Sequence, residues 1–205
     1  MIEFIASAFL TIAMGSGAQP AHPDLPAGHP QPDGMPSGHP NVVERENTPG
    51  LDEPPPADPA DVASIDAIIG AYYDTLSGPK GEARDWERLK SLFQPMARLV
   101  AARPVRGDHS GLWIMKMEEF IAFNKTYMEN GGYYEREVHR KVDAFGNIAQ
   151  VWSTYESRRI ESDPNPYSRG IYSIQLLKDG DRWWIVNVYW DYERGDAPIP
   201  AEYLP

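Results

Sequence analysis

The chain has 205 residues, of which 30 are acidic, 19 basic, 20 proline and none cysteine. That length fits one domain, or one domain with an appendage. A net charge of −11 argues against a nucleic-acid partner, which needs a basic surface, and the missing thiols exclude disulfides, thiolate metal sites and cysteine nucleophiles.

The charge and the aromatic residues are unevenly spread. The first sixty residues hold eight acids and one base, and all six tryptophans and all eleven tyrosines lie beyond them. A segment without such rings cannot bury enough surface to offset the entropy of ordering. Phe4 to Met14 is an apolar run too short to cross a bilayer, so no membrane span is expected. Ser16-Gly17-Ala18 then supplies the small-x-small pattern that suits signal peptidase. Residues 1–18 therefore read as a signal peptide and the protein as exported, periplasmic or secreted, although Glu3 stands where a basic residue is usual. Residues 19–60 contain 12 prolines and read as an extended, acidic, disordered spacer. Pro26-Ala27-Gly28-His29-Pro30 recurs there as Pro36-Ser37-Gly38-His39-Pro40. With His22 and Met35 this offers either a low-complexity linker or a weak copper or nickel chelator; a disordered segment supplies no fixed geometry, which favours the linker.

The folded domain is expected over 61–205. Apolar residues at helical spacing predict a helix from Asp61 to Ser77, stopped by Gly78-Pro79, and a short one from Asp85 to Phe93. Short strands follow at Ala97–Ala101 and Gly111–Met115. A third helix runs from Met117 to Met128, with Phe120, Ile121, Phe123, Asn124 and Tyr127 as its buried face. From Tyr133 the period changes to two, predicting four strands at 133–143, 148–160, 168–177 and 182–191. Helices followed by long antiparallel strands make an α+β domain: three N-terminal helices packed in a curved, mainly antiparallel sheet.

This order resembles the nuclear transport factor 2-like (SnoaL-like, cystatin-like cone) superfamily over 61–205. The resemblance is carried by AYYDTL, LFQPMARLV, MEEFIAF, FGNIAQVWSTYESR and RGIYSIQLLKDGDRWWIVNVYW. It implies a cone with a pocket. The superfamily includes isomerases, dehydratases, cyclases, enzyme subunits and pure binding proteins, so it names no reaction.

Tight turns allow a register estimate. Loops at Phe145-Gly146 and Asp179-Gly180 would pair 144 with 147 and 178 with 181, and the longer middle connection would pair 160 with 168. One face then carries His139, Trp152, Leu176 and Trp183 at an apolar end. It continues through Glu137 and Thr154, then Glu135, Glu156, Tyr172 and Asn187, to Arg158, Tyr189 and Asp191 at a polar mouth. Glu135 and Glu156 would oppose each other as an acid–base pair, with Tyr172 and Asn187 as oxyanion donors. Glu137, His139, Trp152, Thr154, Arg158, Tyr189 and Asp191 would line the ligand site. The alternative is an ion network in which Arg136, Arg140 and Arg158 neutralise the glutamates. The opposite face, with Trp184, Val186, Val188 and Trp190, is apolar enough to predict a homodimer. His109 reads as an exposed loop residue. Metal-ligand spacing, phosphate loops and dinucleotide fingerprints are missing from the domain, so no metal and no cofactor are expected. Three functions fit: an exported domain binding a small, partly apolar molecule; a cofactor-independent isomerase or dehydratase; or a protein-assembly module.

Overall fold

A computed structural model of the chain describes residues 53–104 and 110–205. The expected signal peptide, most of the spacer with its histidines, and His109 lie outside the described residues.

The first predicted helix is two. Asp58 accepts from Ala60 N at 2.9 Å and Pro59 pre-sets the first turn of α1 (Pro59–Val62). Ser64 then caps α2 (Ile65–Leu76) by accepting from Ala67 N at 3.0 Å. Asp61 starts neither helix. It takes a two-pronged bond from Arg88, at 2.7 and 2.9 Å, and so ties α1 to α3 (Trp86–Ser91). The chain continues through β1 (Phe93–Pro104), β2 (Ser110–Met115), α4 (Met117–Gly131), β3 (Tyr134–Phe145), β4 (Ile148–Arg158), β5 (Ser168–Asp179) and β6 (Arg182–Tyr192). On α4 the buried residues are Phe120 and Met128. Phe123 and Tyr127 are instead half exposed: Phe123 stacks edge-on against Trp113, and Tyr127 faces the Arg159 guanidinium at 4.2 Å.

The six strands form one curved sheet in the order β2-β1-β6-β5-β4-β3, with β1 and β6 parallel and all other neighbours antiparallel. Its register differs from the sequence estimate in an instructive way. Both hairpin loops sit one residue later than expected, at Gly146-Asn147 and Gly180-Asp181. Each glycine has positive φ (54° and 58°), and among the described residues no other residue type does, so the glycine is the first loop residue of a II′-like turn. Val138 and Val186 are then extra residues in β3 and β6, and each bulge turns the remainder of its strand over. The β4–β5 pairing joins Ser157 to Ser168, an odd offset from the estimate that exchanges the faces of β4.

The inner face that results carries rows of neighbours: Arg140–Ser153–Tyr172–Trp190–Ala101, Val142–Val151–Ile174–Val188–Leu99, and Ala144–Ala149–Leu176–Ile185. Helix α2 lays Tyr72 and Tyr73 on it, their rings 5.6 and 6.1 Å from Tyr172, and Tyr155 packs on Tyr172 at 4.4 Å. Gly170 makes this possible, because a Cβ there would collide with the Tyr155 hydroxyl and the Asp191 carbonyl. Trp184, Val186, Val188 and Trp190 therefore do not form one face. Val188 and Trp190 are core residues on the inner side, whereas Trp184 lies on the outer side under Arg182, whose guanidinium sits 3.2 Å above its ring.

Arg84 holds the helices to this sheet. It is 6% exposed and donates to the carbonyls of Leu76 (3.0 Å), Gly78 (2.5 Å), Glu82 (2.7 Å), Met128 (3.2 Å) and Pro79 (3.4 Å). Gly78 in turn exchanges backbone bonds of 2.7 and 3.1 Å with Tyr133, at the start of β3. Arg84→Met should leave these carbonyls unsatisfied and lower the unfolding free energy by about 3 kcal/mol, read from urea titration.

Candidate functional site

One open space lies where α2 passes the edge strand β3. A cavity of about 420 Å³ is lined from α2 and its C-cap by Gly70, Tyr73, Asp74 and Ser77, and from β3 by Tyr134 to Glu137 and Arg140. Arg158 and Glu161 close one end. Positions 70, 73, 74 and 77 recur at helical spacing, so α2 presents one stripe to the cavity. Rings of Tyr72, Tyr73, Tyr155, Tyr172 and Trp190 occupy the interior of the cone behind it.

Glu135 sits at the back of this cavity and is 5% exposed. Its Oε1 accepts from the Tyr133 hydroxyl and from Ser157 Oγ at 3.0 Å, and its Oε2 accepts from the Tyr172 hydroxyl at 2.9 Å. The Ser77 hydroxyl pins its backbone, accepting the Glu135 N–H at 3.0 Å while donating to the Tyr73 carbonyl at 2.8 Å. Burial raises the carboxyl from 4.5 to about 7, against the three hydroxyl bonds, which favour the ionised form. Burial, and then the Glu135 charge, push Tyr133, Tyr172, Tyr73 and Tyr155 up, so these phenols keep their protons.

Glu137 belongs to the same cavity and is held differently. Arg140 grips it at 2.8 and 2.9 Å and also reaches Asp66 on α2. Ser153 donates to Glu137 Oε1, so the 2.6 Å contact between Tyr73 and Ser153 has the phenol as donor. A relay of hydroxyls thus runs from Tyr73 through Ser153 to Glu137.

Glu156 is not the partner of Glu135. The Val138 bulge pairs Glu135 with Ser157 and sends Glu156 to the outer side, opposite Arg136. Burial works against the Glu156 carboxylate, but hydrogen bonds from Arg158 (2.6 Å) and Arg136 (3.1 Å) hold it below the ordinary glutamate range. The ion network anticipated as the alternative therefore forms, with Arg136 and Arg158 on Glu156 and Arg140 on Glu137, while Glu135 stays out of it. His139, Trp152 and Thr154 also lie on the outer face: His139 pairs with Thr154, Trp152 stacks on Tyr203 at 5.6 Å, and Thr154 donates to the Tyr203 carbonyl at 2.7 Å. Asn187, Tyr189 and Asp191 follow the Val186 bulge to that face as well. Tyr172 is brought to Glu135, and Arg158 reaches the cavity's end. Asp66, Gly70, Asp74 and Ser77 were missed, although their spacing on a predicted helix with an otherwise apolar face marks a polar stripe. Among the described residues, no group of three histidine, aspartate or glutamate side chains is placed to hold a metal, and no helix is long and apolar enough to cross a membrane.

No protein-family model matches the chain, and neither does any curated protein. Solved structures resemble it in architecture. A cystatin-like protein of unknown function from Nostoc punctiforme is 15% identical with a TM-score of 0.48, over 64% of this chain and 90% of that one. A nuclear transport factor 2-like protein of unknown function from Silicibacter pomeroyi is 19% identical with a TM-score of 0.43, over 64% and 94%. A protein provisionally assigned as a scytalone dehydratase, from Novosphingobium aromaticivorans, is 14% identical with a TM-score of 0.47, over 69% and 89%. What the chain shares with them is an α+β architecture with a curved sheet packed against helices. No activity follows from likenesses at this level.

Glu135 binds its proton more readily in the folded chain than in the unfolded one. Its contribution to stability is complete below the ordinary value of 4.5 and is lost as pH rises through about 7. The unfolding free energy should therefore fall by about 3 kcal/mol between pH 5 and pH 8. Glu135→Gln should flatten that slope in urea titrations.

Proposed function

We propose that the domain binds a small polar molecule in the cavity between α2 and β3. The observation that carries this reading is the meeting of two carboxyls of unlike character, Glu135 and Glu137, with a phenol, a serine and arginines around one open space. Such walls offer donors and acceptors to a ligand with several oxygens or nitrogens. The partly apolar ligand expected from the sequence finds fewer apolar contacts here, because tyrosine rings fill the depth of the cone. Gly70 provides a test that spares the core: a Cβ built there meets nothing within 4 Å. Gly70→Leu should fill the cavity from the helix side. In ligand-observed NMR against a fragment set, compounds that shift the Ser77 and Glu137 amides should lose binding at least about tenfold in this variant, with the circular dichroism unchanged.

A second reading, proton transfer beside a carbonyl, is favoured by the Glu135 carboxyl near 7 with the Tyr172 hydroxyl on its Oε2. Ionised Glu135 would take a proton, and the phenols would steady the developing oxyanion. Isomerisation of 3-cyclohexenone to the conjugated ketone, followed by absorbance, should rise with pH through about 7. Glu135→Gln should lower it by about a hundredfold or more.

The homodimer is proposed through a different surface from the one the sequence suggested. Leu112 and Ile114, at alternate positions of the edge strand β2, are 60% and 57% exposed on the outer side. Ile114→Lys should convert a dimer at tens of micromolar into a monomer in sedimentation velocity.

A further inference from the structure

The hydrogen-bonding capacity around the cavity at α2 is unequally used. Arg140 directs Nε and Nη2 at Glu137 and Nη1 at Asp66, so none of its three nitrogens lacks an acceptor. Glu135 accepts from three hydroxyls. Two donors at one end are left over. Arg158 is 5% exposed and lines the cavity, yet its Nη1 has no hydrogen-bond partner among the described residues. Tyr134 pairs with Arg158 across β3 and β4 and also lines the cavity. Its hydroxyl, on a half-buried ring, has no partner among the described residues either. Side chains directly opposite on neighbouring strands stand about 5 Å apart at Cβ, so one small group can meet both.

The guanidinium of Arg158 turns one edge away from the cavity. Its Nε donates to the Asp163 carbonyl at 2.8 Å and its Nη2 to Glu156 at 2.6 Å, and neither acceptor lines the space. The group is planar and rigid, so Nη1, across from that edge, is the nitrogen turned toward the cavity. A buried charged donor without an acceptor is costly, and an oxygen supplied by a ligand would satisfy it. The acids that share the space, Glu137 and the exposed Glu161, favour a singly charged group over a phosphate dianion.

We propose that the ligand of this cavity is a small organic acid whose carboxylate is bound by Arg158 Nη1 and the Tyr134 hydroxyl. This assignment rests on the reading of the cavity as a binding site and names the class of molecule it takes. The probe is 4-hydroxybenzoate with the full chain, set against 4-hydroxybenzamide, which has the same shape without the charge, and against inorganic phosphate at equal ionic strength. The acid should shift the Tyr134 amide and the Arg158 Nε–H saturably in NMR. It should bind at least about tenfold more tightly than the amide or phosphate. Tyr134→Phe removes one hydroxyl and should weaken the acid about fivefold, with amide binding and circular dichroism unchanged. Arg158→Lys should abolish the preference for acid over amide; Tyr134→Phe carries the test if that variant does not fold. Acid and amide binding equally, both lost in Gly70→Leu, would overturn the carboxylate and leave the cavity a site for polar ligands. Tighter binding of phosphate, no saturable shift with the acid, or acid binding that survives Gly70→Leu would each overturn the proposal. Failure of every compound, uncharged fragments included, would overturn the reading of the cavity as well.

Discussion

Val138 and Val186 each add one residue to one strand of an antiparallel pair, and the division of the sheet into inside and outside depends on them. Strand side chains alternate, so a single extra residue moves everything beyond it to the other face. In β3 the bulge lets Glu135 and Glu137 point inward before it and Arg140 and Val142 point inward after it, which brings Arg140 back onto Glu137. In β6 it keeps Ile185 and Val188 both in the core while turning Asn187, Tyr189 and Asp191 outward. A β3 without its bulge could not place Glu135 and Val142 on the same side of the sheet.

Two deeply buried ionisable side chains of the domain, Arg84 and Glu135, are treated alike. Arg84 is surrounded by carbonyl oxygens and Glu135 by hydroxyls; neither relies on an ion pair within hydrogen-bond reach in the described structure. Dipoles that point at a charge and cannot turn away replace the water it has lost. The two are also joined. Arg84 holds the carbonyl of Gly78, Gly78 pairs with Tyr133 through the backbone, and the Tyr133 hydroxyl reaches Glu135. The loop between α2 and α3 is thereby part of the carboxyl's environment, although it contributes no side chain to the carboxyl itself.

Element order, strand number and fold class were legible because they rest on long-range periodicity, which averages over many residues. Register was not, because it rests on single residues. Gly146 and Gly180 were read as second loop positions, the commoner place for glycine after asparagine or aspartate, but here glycine leads each turn and Asn147 and Asp181 follow with ordinary φ. Neither bulge has a sequence mark: Val138 and Val186 are good strand formers in the middle of strand sequence. These small offsets left Tyr172 and Glu135 together but separated Glu156 from them, and they broke up the supposed dimer face. On α2 the failure was of a different kind. Tyr72 and Tyr73 drew attention to the core side of the helix, and the polar stripe of Asp66, Gly70, Asp74 and Ser77 beside it went unread.

A β-sheet ordinarily insulates its two surfaces from each other by the thickness of its side chains. At Gly170 that insulation is missing. The residue borders a hollow of about 200 Å³ under the C-terminal segment Ala197–Pro200, while the Tyr155 hydroxyl occupies the room that a methyl group would need. From Tyr155 the path to Tyr172 is one ring contact, and from Tyr172 to Glu135 one hydrogen bond. The opposite surfaces of this domain are therefore separated, at that one point, by a bare strand of backbone and two aromatic rings.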